Sequence, residues 1–197
     1  DWAPQHADGI TVSDAARARW EHIRNGLIDQ AMGMHRAFTL RDFHAENLLW
    51  LPGRAGLTRV GLLDFQLGQL GQPGYDLVSL LQDARRDVRS GTEAAMIARF
   101  ASATGADPAA FAAQYATLGA QRALRILGVF ARLCLVAGKP QYLRLIPRVW
   151  GQLQQNLAHP TLADDRLDAE AADDLVLVRF LADRGRRARG HHLVIRP

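Results

Sequence analysis

The sequence predicts an α+β fold that is mainly α: a helical body carrying one β-hairpin. Two observations carry that expectation. Long segments repeat their apolar residues at the three-to-four spacing of a helix, while "LLWL" (48–51) and "RVGLLDF" (59–65) are short apolar runs separated by the turn-forming "PGRAG". A third observation sets the scale. A chain of 197 residues, 48% hydrophobic and 22% charged, is long enough to bury a core and has the balance of an ordinary globular domain.

The elements follow in order. Ser13 supplies an N-cap residue, and Ala16, Trp20, Ile23, Leu27 and Met34 then recur at helix-compatible spacing. "AFTLRDFHAEN" is too broken for a helix and reads as a short extended piece leading into a polar loop. The hairpin comes next, its connection slightly longer than a minimal turn. "GQLGQPG" (68–74) reads as a Gly/Pro-rich link. Beyond it the pattern is helical: "YDLVSLLQDARRDV" sets Leu77, Leu80, Leu81 and Ala84 on one face, and "TEAAMIARFASATG" ends on Gly105. A long segment capped by Asp107, with Pro108 at its first position, closes on Gly138 and is apolar on more than one face, which marks it as the central buried helix. "PQYLRLIPRVWGQLQQNLAH" predicts one more helix, kinked at Pro147.

Composition narrows the functional classes. No apolar run approaches the roughly 20 residues that span a bilayer, and no signal peptide opens the sequence. With one cysteine, Cys134, neither a disulfide framework nor a cysteine-based zinc site is available, so a cytoplasmic protein without membrane association is expected. The pI near 10 invites a nucleic-acid reading, but the charge is local. Residues 179–197 hold six Arg and one Asp, a charge of +5, so a total of +4 leaves −1 for the first 178. Apart from Phe180, that tail lacks aromatics on which bases stack, which makes nucleic acid a poor partner. "HAE" (44–46) has half of a deaminase zinc motif without the two-cysteine half.

The polar residues concentrate where the hairpin opens. Asn47 precedes the first strand and Asp64 ends the second, and paired strands lie about 5 Å apart. The topology therefore sets Asn47 beside Asp64, with Asp42 on the same loop. Singly, each suits a turn or cap. Together, two carboxylates and an amide oxygen form a hard oxygen ligand set suited to Mg²⁺.

The pattern D-x-x-x-x-N, hairpin, D-F, in "LRDFHAENLLWLPGRAGLTRVGLLDFQ", followed by "GQPGYDLVSLLQDARRDV", resembles the aminoglycoside phosphotransferase family of the protein-kinase-like fold. Within it, the likeness is to the branch of bacterial anomeric amino-sugar kinases acting on N-acetylmuramate and N-acetylglucosamine in cell-wall recycling. The resemblance covers residues 1–160 and is specific in 41–87. It implies an ATP- and Mg²⁺-dependent phosphoryl transfer to a sugar hydroxyl. Asp42 is then the catalytic base, and Asn47 and Asp64 are the metal ligands. Arg41, His44 and Asp76 give structural support, Asp76 by capping the next helix and steadying the loop. Glu46, Gln66, Arg85 and Arg86 are candidates for substrate contacts, the two arginines facing a carboxylate such as that of N-acetylmuramate or simply lining a solvated helix face.

The sequence departs from the family pattern in three places. Leu40 replaces the usual His two residues before the base, and Leu67 replaces the acidic residue that commonly follows "DFQ". No G-x-G-x-x-G occurs, and the one lysine, Lys139, follows a helix end. What remains resembles the C-terminal lobe alone (1–160), followed by a helical extension (161–184) and a basic tail (185–197). No cofactor-binding residues are assignable, and a missing N-terminal lobe or partner chain is expected. Two alternatives stay open: an aminoglycoside, choline or homoserine-type kinase, and a degenerate lobe that only binds.

Overall fold

The computed structural model describes residues 13–33 and 35–162. The predicted extension and tail, apart from a last turn at Pro160–Leu162, and the predicted helix position Met34 lie outside the described residues. The chain divides into two compact units. One holds the described residues up to Asp29 and from Ala120 on, the other Gln30–Gly119. The architecture is helix-rich, as the sequence predicts, but it holds two small sheets where the sequence predicts one hairpin.

In the first unit, helix α1 (Asp14–Met32) buries Ile23 and Leu27, four residues apart on one face. Helix α4 (Pro108–Leu135) buries Ala120, Ala123, Leu127, Phe130 and Ala131 over its second half, as expected for the long apolar segment. It ends at Leu135, three residues before Gly138. Gly138 takes a left-handed φ of 62°, and the chain turns so that the Lys139 N–H donates to the Leu133 carbonyl at 2.9 Å. The final predicted helix is two elements, a 3₁₀ stretch Pro140–Leu145 and helix α5 (Ile146–Leu157). Pro147 lies in the first turn of α5 and does not kink it, because a first-turn residue has no intrahelical carbonyl to donate to. Ile146, Val149, Leu153 and Leu157 form the buried stripe of α5, and the Phe130 and Tyr142 rings meet at 5.1 Å.

Among the described residues, the second unit holds all the strands. β2 (Leu48–Trp50) and β3 (Val60–Leu62) pair antiparallel with Leu48 opposite Leu62, forming the predicted hairpin. β1 (Ala37–Thr39) pairs with β4 (Gln69–Gly71), so the predicted Gly/Pro-rich link contains a strand. Its glycines serve close approach: a Cβ on Gly68 would lie 2.5 Å from the Phe38 ring. This second sheet joins the residues before the polar loop to those after the hairpin, and so closes the loop's base.

Helix α2 (Tyr75–Leu81) is shorter than the periodicity predicts. Asp83 stops it: its Oδ1 accepts the Arg85 N–H at 2.9 Å, an Asx-type turn that competes with helical bonding. Arg85 and Arg86 consequently sit in a turn, not on a helix face. Helix α3 (Ser90–Thr104) ends on Gly105 at φ 68°, as predicted, and Asp107 caps α4 by accepting the Ala110 N–H at 2.8 Å. Val78, Leu81, Tyr115 and Leu118 form the core of this unit with Ala31, and Met96 and Ile97 pack on it. Beside them lies a buried polar cluster, in which Glu93 Oε1 accepts from Gln82 Nε2 at 3.0 Å and from the Tyr115 hydroxyl at 2.8 Å.

Candidate active site

The polar loop 40–47 is held from below by one carboxylate. Asp76, in the first turn of α2, accepts the Leu40 N–H at 2.7 Å and the Arg41 N–H at 2.9 Å. Asp76 does not cap its own helix; Gly74 stands at the cap and makes no side-chain bond. Both carboxylate oxygens serve the loop. Between them Arg41 adopts φ 68°, a left-handed conformation that disfavours a side chain, and the Asp42 N–H donates back to the Leu40 carbonyl at 2.9 Å. A tight turn immediately before Asp42 is thereby fixed by two charge-assisted hydrogen bonds.

Past that turn the loop organises itself. Asp42 is half-buried, and its Oδ1 lies 3.2 Å from Nε2 of the buried His44. Nδ1 of His44 accepts the Glu46 N–H at 3.3 Å and caps the short 3₁₀ turn Ala45–Asn47. Asn47 donates its side-chain N–H to the Asp42 carbonyl at 2.9 Å, which commits its nitrogen to the loop and leaves Oδ1 as the remaining acceptor. The Glu46 carboxylate pairs with Arg85 Nε at 3.5 Å, and the Arg85 guanidinium also lies 3.8 Å from buried Asp83.

At the hairpin's exit, the Leu63 N–H donates to the Asn47 carbonyl at 2.9 Å, placing Asn47 across from the residue before Asp64. Asp64 has φ 55°, a left-handed value that Asp tolerates better than most side chains. Its Oδ1 accepts a hydrogen bond from Gln66 Nε2, so Gln66 touches the hairpin-exit carboxylate. Arg86 is exposed in the turn after α2. Sequence reasoning missed Asp83. Its 2% exposure and its hold on Arg85 mark it as the anchor of that turn, and the signal was an acidic residue closing the apolar run "LVSLLQD" with an arginine two positions on.

The donors at the mouth are hard oxygens: the carboxylates of Asp42 and Asp64 and the amide of Asn47. Among the described residues, no group of three or more His, Cys, Asp and Glu side chains is gathered to hold a metal by itself. Such a set fits a cation that takes few protein oxygens and fills its remaining positions with water and phosphate, as Mg²⁺ does. Cys134 stands apart from this chemistry. Burial pushes its thiol upward, more than a backbone hydrogen bond from Leu143 lowers it, and its Sγ lies 3.5 Å from the Lys139 carbonyl.

Comparison with known proteins now assigns the chain. The model of the APH phosphotransferase enzyme family matches residues 3–114, a span that contains the loop, the hairpin and Asp76. The chain belongs to the APH family. Among its relatives, the N-acetylmuramate/N-acetylglucosamine kinase of Caulobacter vibrioides is 46% identical over 165 residues, covering 83% of this chain and 45% of that protein. The kinase of the same name from Pseudomonas putida is 30% identical over 172 residues, covering 83% and 49%. That of Neisseria meningitidis serogroup B is 32% identical over 162 residues, covering 79% and 47%. This APH-family chain thus spans about half the length of the curated relatives it matches. Among the described residues, no helix is long and apolar enough to cross a membrane.

Proposed function

We propose that this chain forms the acceptor- and metal-binding part of a small-molecule kinase that phosphorylates an amino sugar, N-acetylmuramate or N-acetylglucosamine, in cell-wall recycling in the cytoplasm. The observation that carries the reading is the loop itself. Asp42 stands on a turn tied down by Asp76, with Asn47 bonded to the carbonyl of Asp42 and the exit of the hairpin paired to Asn47. The 46% identity to a kinase named for these two sugars supports the acceptor class.

Asp42 would accept the proton of the sugar hydroxyl, and the fixed loop would aim that hydroxyl along the line of attack. Asn47 and Asp64 would hold Mg²⁺. ATP would supply the phosphoryl group, and the metal would neutralise charge on its phosphates. Glu46, Gln66, Arg85 and Arg86 would meet the acceptor; Gln66 bonds to Asp64 and Arg85 pairs with Glu46, while Arg86 is exposed in the turn after α2. Arg85, paired with the half-exposed Glu46, is the cation we assign to an acceptor carboxylate; Glu46 would exchange its partner for water when N-acetylmuramate binds. With no Gly-rich loop and no strand lysine in these 197 residues, the chain alone would show weak or no turnover and would need an N-terminal lobe or a partner chain.

A chimera tests this reading. The chain is joined to the portion of the Caulobacter relative that its match leaves out, then assayed with ATP and Mg²⁺ against N-acetylmuramate, N-acetylglucosamine, kanamycin, choline and homoserine. Phosphorylation of the two amino sugars above all others is the expected result. A preference for kanamycin, choline or homoserine would move the chain to a sibling activity, and the isolated chain phosphorylating N-acetylmuramate at full rate would refute its partial character.

A further inference from the structure

His44 is buried and lies between two groups that constrain it from opposite sides. On one side the Glu46 backbone N–H points at Nδ1 from 3.3 Å. A peptide N–H can only donate, so Nδ1 must be the unprotonated acceptor nitrogen, and the ring proton is on Nε2. On the other side Nε2 lies 3.2 Å from Oδ1 of Asp42, which can only accept when ionised. The Nε2 edge of the imidazole therefore faces the carboxylate. Glu46 is itself fixed: it lies in the 3₁₀ turn closed by the Asn47 N–H on the His44 carbonyl at 2.9 Å, and its carboxylate is paired with Arg85.

We propose that His44 is a positioning residue, locked in the Nε2–H tautomer by the Glu46 amide, that engages Oδ1 of Asp42 and leaves Oδ2 as the oxygen receiving the acceptor's proton. The inference rests on Asp42 being the base. It adds a division of labour within that carboxylate. It also gives a use to the histidine two residues after the aspartate, in a loop where Leu40 occupies the position two residues before it.

Two measurements test the proposal. In the 197-residue chain, ¹⁵N-resolved NMR of the histidine rings at neutral pH should show an acceptor-type Nδ1 and a protonated Nε2 for His44. The Asp42→Ala substitution should shift the Nε2 signal of this ring alone. A protonated Nδ1, or an Nε2 signal indifferent to Asp42→Ala, would overturn the proposal, and neither result depends on turnover. In the chimera, His44→Ala should lower kcat about 10- to 100-fold with the sugar KM unchanged, the scale of a misplaced catalytic group. His44→Gln, whose Nε2 can donate from the corresponding place, should recover most of kcat, while His44→Asn should not. Equal rates for the Gln and Asn variants, or a full rate for His44→Ala, would defeat the positioning role. If Asp42→Asn stays active, it is the assignment of Asp42 as base that fails; the NMR outcome still decides the tautomer.

Discussion

Replacing Asp76 by Ala strips the loop of the two acceptors that hold its most constrained residue. The Leu40 and Arg41 amides lose partners at 2.7 and 2.9 Å, and Arg41 is left at φ 68° without restraint. A hydrogen bond to a charged group contributes about 1.5–3 kcal/mol. Asp76 is half-buried, so water replaces part of that, and the lower end applies to each bond. Against this, a non-glycine residue in the left-handed region costs about 1 kcal/mol, which is released when the turn relaxes. The net expectation for Asp76→Ala is a loss of about 2 kcal/mol in urea unfolding, with the Leu40 and Arg41 amides gaining the largest increase in hydrogen exchange. Asp76→Asn keeps one acceptor oxygen and should lose about half as much. Arg41→Gly in the intact background should stabilise by about 0.5–1 kcal/mol, because glycine takes positive φ without strain. An Asp76→Ala loss below about 0.5 kcal/mol, or exchange unchanged at Leu40 and Arg41, would refute the reasoning, since hydrogen bonds of this kind cannot be that weak if they fix the turn.

Other outcomes follow from the same contacts. Leu118 is fully buried in the core of the second unit, so Leu118→Ala should cost about 2–5 kcal/mol in urea unfolding, whereas Leu57→Ala, at 92% exposure, should stay within about 0.5 kcal/mol. Tyr115→Phe removes one donor from buried Glu93 and should destabilise by about 1–2 kcal/mol, read by thermal unfolding. Because burial raises the Cys134 thiol, a smaller fraction is thiolate at pH 8 in the folded chain than in urea; alkylation should be slower when folded, and the folded rate should climb further as pH rises past 9.

The parts of the fold legible in the sequence were those whose signal is local. The hairpin needs only two apolar runs and a Pro/Gly turn between Leu51 and Arg59, and α4 announces itself by its cap at Asp107 and its length. The β1–β4 pairing was not legible. Each strand has three residues, they stand 30 positions apart, and Gln69–Gly71 lies in a stretch whose glycines read as a link. The early end of α2 was hidden for another reason: Asp83 fits the helical period, and only its side-chain bond to the Arg85 amide shows that it ends the helix. At the candidate site, the closeness of the Asp42 loop, Asn47 and the hairpin exit could be read because spacing and topology agree. The roles of Asp76 and His44 depend on which backbone amides their oxygens and nitrogens meet, and no spacing rule specifies those partners.

Phosphate transfer by the chimera with Asp42 replaced by Asn asks most directly whether this loop is a kinase base. With ATP, Mg²⁺ and N-acetylmuramate saturating, Asp42→Asn should lower kcat by about 10²- to 10⁴-fold, the usual contribution of general-base catalysis, with ATP binding unchanged. A variant that keeps near-full kcat would contradict the assignment of Asp42.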